Sequence, residues 1–281
     1  MGDSETTSLY RISRWPLDAD AEFFRQYPAF KLGATDSVRY YARLLLPLVK
    51  NIIASDSRHT DWILTGPAIS AQTPAAANLL CRELLDLYRR ERDTRNAKEL
   101  SLMDIQYDNE PTASIDYANL DLAGRLAVRE RLSPRLLRNA DFRGRPILFV
   151  NDICVTGAQQ HAMQQYFDRD EAACVRWLYL MVVDPEIGRA NPKLEWQINF
   201  APFEELFRLV SREQIQFTGK CVLKLMQLSI AELDQVLRAL DEERRTRLLE
   251  LATLNRFQEL DGFREQVELV RSYVARGSTK T

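Results

Sequence analysis

Apolar positions along the chain follow two periods. Val38, Tyr41, Leu45, Leu48 and Ile52 fall three or four residues apart, which predicts a helix over 36–53. Asp36 or Ser37 can cap it, and Pro47 is a place for a kink. A short strand pattern at 62–65 leads into the loop GPAISAQT, residues 66–73. A second helix is predicted over 74–92, with Pro74 in its first turn and Ala77, Leu80, Leu84 and Leu87 on one face. Residues 93–120 are polar and irregular apart from a strand signal near 102–107, which predicts a mobile or functional loop. Helical spacing resumes over 120–132.

The apolar run Ile147, Leu148, Phe149, Val150 does not alternate, as expected of a strand buried on both faces. A loop over 151–157 and a helix over 158–167 follow, then a strand over 175–183 ended by Asp184 and Pro185, and a last strand over 196–200. Strands alternating with helices define an α/β protein with a mostly parallel central sheet. Beyond 202 the patterns are helical only, over 203–211, 230–240, 242–254 and 257–274. Residues 1–30 are polar with aromatic punctuation and read as an arm packed on the body. The expected organisation is an N-terminal arm, 1–30, an α/β domain, 31–202, and a C-terminal helical extension, 203–281.

With 281 residues, 46% of them hydrophobic and 28% charged, the chain can bury a full core, which excludes disordered and collagen-like classes. Lys and Arg number 38 against 40 Asp and Glu, so there is no global attraction to nucleic acid or acidic lipid. Cys81, Cys154, Cys174 and Cys221 form no CxxC pair and have apolar neighbours, as buried thiols of a reducing cytoplasm do. His59 and His161 are the only histidines, too few for a His-rich metal centre. No apolar run reaches membrane-spanning length and no signal-peptide core is present, so a cytoplasmic protein is expected. Gly2 and Thr6 formally fit a myristoylation pattern, but an ordinary solvated terminus is the expectation.

Candidate chemistry gathers after the 147–150 strand. In open parallel sheets ligands sit beyond the carboxyl ends of strands. That end delivers Asn151 and Asp152, then Thr156, Gly157 and Ala158 at a helix start. Free N–H groups at such a start suit a phosphate, and Gly157 permits close backbone approach. A neighbouring carboxylate can accept hydrogen bonds from sugar hydroxyls. Together these fit a ribose 5-phosphate group.

The segment ILFVNDICVTGA resembles the signature of the phosphoribosyltransferase (PRTase) family, with Asp152, Thr156, Gly157 and Ala158 in family positions. Asn151 stands where the family has an acid, Val155 where it has Ser or Thr, and Gln159 where a further Ser or Thr is usual. Val155 therefore offers phosphate only its backbone N–H. WILTGPAISAQTPAAANLL resembles the pyrophosphate-binding loop, in which Thr65, Gly66, Ala68 and Ser70 would present backbone groups to the diphosphate of 5-phosphoribosyl 1-diphosphate (PRPP). FKLGATDSVRYYARLLLP resembles the helix start before the first core strand, LDLAGRLAVRERL the helix before the signature strand, and 93–120 lies where the family carries its flexible catalytic loop.

The resemblance implies a PRTase-type sheet over roughly 30–200. It further implies binding of PRPP or a nucleotide 5′-phosphate with Mg2+, and transfer of ribose 5-phosphate to an acceptor. Asp152 would be the catalytic carboxylate, and Arg92, Arg95 or Lys98 would reach the diphosphate. Family members without turnover serve as sensors or interaction modules, and PRTase-like proteins occur beside stress-resistance and phage-defence genes. Asn151 favours that alternative, in which the C-terminal helices offer a protein-binding surface. Neither a G-x-S-x-G elbow nor a G-x-G-x-x-G turn is present, which disfavours an α/β hydrolase or a dinucleotide-binding enzyme.

Overall fold

The computed structural model describes residues 5–17, 21–70, 72–92, 98–107, 116–136, 141–212 and 214–277. Five strands, β1 (Thr6–Ile12), β2 (Asp61–Thr65), β3 (Glu99–Leu102), β4 (Pro146–Cys154) and β5 (Cys174–Val183), form one sheet in the order β1-β5-β4-β2-β3. Every pairing is parallel. Central β4 explains the apolar run. Ile147 and Phe149 enter one core with Phe167 and Trp177, while Leu148 and Val150 enter another with Trp62 and Leu180.

The helices of the body are α1 (Glu22–Arg25), α2 (Tyr27–Leu32), α3 (Thr35–Ser55), α4 (Ala76–Glu91), α5 (Leu122–Leu132), α6 (Ala158–Arg169), α7 (Pro185–Ala190) and α8 (Leu194–Ile198). The apolar faces of α3 and α4 cover one side of the sheet, and Met163, Tyr166 and Phe167 of α6 help cover the other. The C-terminal helices are α9 (Phe203–Arg212), α10 (Gly219–Met226), α11 (Ile230–Ala239), α12 (Glu242–Leu254) and α13 (Arg264–Gly277). They enclose a third core. No helix among the described residues is long and apolar enough to cross a membrane.

α2 belongs to two interiors. Tyr27 and Phe30 pack into the sheet core, while Ala29 and Leu32 pack among the C-terminal helices. The helix ends at Gly33, whose φ of +94° suits only glycine, and a Cβ there would lie 2.0 Å from the Gln216 carbonyl oxygen. That close approach lets Gln216 N–H donate to Gly33 O at 3.0 Å and Thr35 N–H donate to Gln214 O at 2.9 Å.

Several expectations are corrected. Segment 196–200 is not a strand; α8 covers Leu194–Ile198, because the sheet edge beside β5 is already taken by β1. The first thirty residues supply that β1, so part of the arm is sheet. β4 does not stop at Val150. Its ladder to β5 runs on to Cys154, paired with Val182, so Asn151 and Asp152 are strand residues and the loop shrinks to 155–157. The strand expected at 102–107 is Glu99–Leu102, while Gln106 and Tyr107 make only single bridges to Ile69 and Leu136. Pro74 lies ahead of α4, and at the N-cap Ala75 donates its N–H to Asn78 Oδ1 at 2.8 Å. α10 was not foreseen, and helix 257–274 resolves into a single turn at Phe257–Glu259 and then α13.

Candidate functional site

Extending β4 to Cys154 decides where its polar residues point, since successive strand side chains face opposite sides of a sheet. Asn151 faces the α6 side, where its Nδ2 donates to Gln159 Oε1 at 3.2 Å. Asp152 faces the α2 side. Its Oδ2 accepts from Lys31 Nζ at 2.5 Å and from the Tyr27 hydroxyl at 3.0 Å. Lys31 also donates to Glu195 Oε1 of α8 at 2.9 Å, and Arg125 Nη1 lies 3.9 Å from Glu195 Oε2.

This cluster is shielded: side-chain exposures are 16% for Lys31, 7% for Asp152 and 10% for Glu195. Burial by itself pulls the Lys31 ammonium down, but the two facing carboxylates outweigh it and hold its pKa above the ordinary lysine value. Burial, then Asp152, pushes the Tyr27 hydroxyl well up, so it is a neutral donor. Arg125 is 3% exposed and fixed by backbone carbonyls of Leu120, Ala118 and Pro192.

A cavity of about 220 Å3 opens here, with Lys31, Asp152, Glu195 and Arg125 on one wall and the 153–160 backbone on another. Gly157 caps α6 with φ +74°, and a Cβ built on it meets nothing within 4 Å, so the bend faces open space. Amide groups at the start of α6 therefore border the cavity and favour an anion. Gly188 of α7 presses on the bend from behind; a Cβ there would lie 2.1 Å from Val155 O. Tyr179 of β5 closes the floor, its hydroxyl donating to Gln160 Oε1 at 3.2 Å, and Cys154 Sγ donates to the same oxygen at 3.7 Å. Burial raises the Cys154 thiol, which makes it a packed neutral group.

A strand-borne acid, a glycine bend and a helix start around one cavity at the carboxyl edge of a parallel sheet match the sequence signature in three dimensions. The family described as PRTase ComF-like matches residues 4–270. The chain belongs to the ComF-like phosphoribosyltransferase family.

Solved structures similar to this ComF-like chain are themselves phosphoribosyltransferases. A hypoxanthine-guanine phosphoribosyltransferase from Bacillus anthracis is 10% identical over 56% of this chain and 75% of its own, with a TM-score of 0.34. A hypoxanthine phosphoribosyltransferase from Staphylococcus aureus is 9% identical over 57% and 70%, with a TM-score of 0.32. One from Trypanosoma cruzi is 13% identical over 54% and 66%, with a TM-score of 0.31. These likenesses are too distant to carry residue roles across. No curated protein matches the sequence.

Of the residues expected at the site, Asn151, Asp152, Val155, Thr156, Gly157, Ala158, Gln159 and Ala68 line the cavity. Ser70 lines a neighbouring one. Thr65 and Gly66 line neither; Thr65 is fully buried, and Gly66 lets Asn78 and Cys81 of α4 pack close against it. Arg92 and Lys98 precede β3 and so sit at the amino ends of the strands, away from the cavity, with Arg92 paired to Glu99 at 2.8 Å. Arg95 lies outside the described residues. His161 is exposed on α6, beside Gln165.

The sequence does not single out Tyr27, Glu195 or Arg125 for the site, and Lys31 could face it but reads there as one of many surface lysines. Tyr27 and Lys31 lie one turn apart on a helix of apolar neighbours, a usable signal, whereas Glu195 was hidden by the mistaken strand. Bound Mg2+ prefers one or two free carboxylates besides phosphate oxygens. Here Asn151 replaces one acid and Lys31 already neutralises the other, so the donor set does not fit an ion held by the protein alone.

Proposed function

We propose that the cavity at the end of β4 binds a ribose 5-phosphate group, presented as PRPP or as a nucleotide 5′-phosphate. The observation that carries this reading is the open bend at Val155, Thr156 and Gly157, backed by the start of α6 and facing Asp152. The phosphate would take the amide groups of the bend and the Thr156 hydroxyl. The ribose hydroxyls would take Asp152, whose position Lys31 and Tyr27 fix. Mg2+ would arrive as a counter-ion of the diphosphate and so belong to the substrate.

Turnover would be substitution at the anomeric carbon. The bond to the diphosphate breaks with its electron pair leaving on oxygen, and a bond to the acceptor forms. Positive charge grows on the ribose ring between these events. Asp152 and Glu195 supply negative potential beside it.

A second reading, binding without turnover, is favoured by one specific feature. Asn151 brings no charge and Asp152 shares its charge with Lys31, so the field that would stabilise a cationic ring is weakened. Thermal melting with PRPP, ribose 5-phosphate and adenosine 5′-monophosphate tests the site, because a ligand bound only by the folded chain raises the melting temperature. Stabilisation by any of them, lost in Gly157→Val, is expected; no shift with all three overturns the reading. Diphosphate release from PRPP then separates transferase from sensor.

A further inference from the structure

The amino ends of the strands carry chemistry of their own, at the opposite edge of the sheet from the cavity. α3 ends at Ser55, and a turn over 56–60 leads into β2 at Asp61. Asp56 and His59 lie in that turn, and Cys174 is the first residue of β5. β4 stands between the two strands. Even so, a carboxylate oxygen of Asp56, a ring nitrogen of His59 and Sγ of Cys174 all lie within 4.8 Å of one another.

Local structure accounts for two of the three. Asp56 Oδ1 accepts from Arg58 N–H at 2.8 Å, and Asp56 Oδ2 lies 2.6 Å from His59 Nδ1, which makes a hydrogen-bonded turn. Nothing in that turn calls for a thiol brought from a strand two places along the sheet. The side chains of Asp56 and His59 are 9% and 23% exposed, so the group is shielded from solvent yet reachable from it. Burial raises the Asp56 carboxyl, but hydrogen bonds from His59 and Arg58 outweigh it and hold its pKa below the usual carboxylate range. Cys174 forms no disulfide.

Three cations look on to the group: Arg58, Lys98 and Arg176. Arg58 Nε stands 3.8 Å from Asp56 Oδ1 on an exposed side chain, and Arg176 pairs with Glu5 at 3.1 Å. Lys98 Nζ is buried and makes no hydrogen bond. Asp56 therefore differs from Asp152, which an ammonium holds directly. Positive surroundings disfavour an ion bound by charge alone, and Mg2+ and Ca2+ take oxygen ligands in preference to sulfur. Thiolate, imidazole and carboxylate meeting at one point are the ligands of zinc, which binds sulfur strongly.

We propose that Asp56, His59 and Cys174 hold a zinc ion that ties the turn between α3 and β2 to the start of β5, with water as the fourth ligand. On binding, the Cys174 thiol releases its proton to solvent, and sulfur, nitrogen and oxygen each give an electron pair to the metal with no change of oxidation state. One histidine is too few for a His-rich centre but enough for this mixed one. The site owes nothing to the ribose phosphate cavity, which lies at the other end of β4.

Titration of the full chain, freed of metal and kept reduced, with Co2+ and then Zn2+ tests it. Cobalt takes the place of zinc in such sites and reports its ligands: a thiolate gives a near-ultraviolet charge-transfer band, and four-coordination gives strong visible absorption. One equivalent of Co2+ should produce both, and Zn2+ should abolish both and raise the melting temperature. Cys174→Ser should remove the charge-transfer band, and His59→Gln should weaken zinc binding at least tenfold by competition with a chromophoric chelator. Should either variant fail to fold, alkylation of Cys174 in the parent chain, read by peptide mass spectrometry, should slow at least tenfold when zinc is added. Absence of the charge-transfer band in the parent, its survival in Cys174→Ser, zinc affinity unchanged in His59→Gln, or Cys174 alkylation at the same rate with and without zinc would each overturn the proposal.

Discussion

Replacing Lys31 with Met isolates what the shielded cluster contributes. The substitution keeps the length of the stem and removes the ammonium that faces Asp152 at 2.5 Å and Glu195 at 2.9 Å. With side-chain exposures of 7% and 10%, these carboxylates cannot turn to water for compensation. Breaking a buried pair from one side costs about 3–5 kcal/mol, because the remaining charge is stranded, whereas an exposed pair is worth only about 0–1 kcal/mol. The chain has 281 residues, just past the size range in which each kcal/mol moves the melting temperature by roughly 2–4 °C, so Lys31→Met should lower it by about 6–20 °C, towards the lower end. Calorimetry at pH 7 on Lys31→Met, Asp152→Asn and the double variant measures this. The double variant should be more stable than the sum of the single losses predicts, since the Asp152→Asn change removes the nearer of the two stranded charges. A loss below about 1 kcal/mol for Lys31→Met, or strict additivity, would show that the cluster behaves as a surface pair and refute the reasoning.

Other expected outcomes follow from the same geometry. Lys31 has a folded pKa above its unfolded value, so its contribution is complete below about pH 10.4 and fades as pH rises past it; on the alkaline side the stability gap between the parent and Lys31→Met should narrow in that range. Gly188→Ala places a Cβ 2.1 Å from Val155 O and must displace the bend, so PRPP or nucleotide binding should fall at least tenfold, as read by calorimetry. Gly33→Ala meets Gln216 O at 2.0 Å as well as a left-handed φ, and should destabilise the chain by several kcal/mol in denaturant titration. Mg2+ alone should leave the melting temperature unchanged while Mg2+ with PRPP raises it; a shift with the ion alone would point to a site held by the protein.

The sheet and the bend were legible because their signals are local. A four-residue unbroken apolar run between turn signals is too short for a helix and fits a strand covered on both faces, and Thr156-Gly157-Ala158 marks a helix start. What the sequence could not disclose is which side of the sheet each polar residue takes, since that depends on where β4 ends. Placing its end at Val150 made Asn151 and Asp152 look like neighbours on one loop, whereas three more pairs to β5, at Asn151, Ile153 and Cys154, send them to opposite faces. Glu195 was lost for a related reason. A pattern of Trp196 and Ile198 at alternate positions imitates a strand, and only the full strand order reveals that β1 has taken the edge. Lys31 reads in the sequence as one more surface lysine because long-range partners decide its role: Asp152 is 121 residues away and Glu195 is 164.

The double allegiance of α2 has a consequence for how the chain can vary. One turn of helix gives Tyr27 and Phe30 to one hydrophobic interior, Ala29 and Leu32 to another, and Lys31 to the acid between them. Trimming residues 203–281 would strip the outer half of that turn and leave the lysine's backbone without its hold on Thr218. The tail is thus an organ of the pocket rather than a passenger, and a shortened protein should lose the shape of that pocket before it loses its sheet.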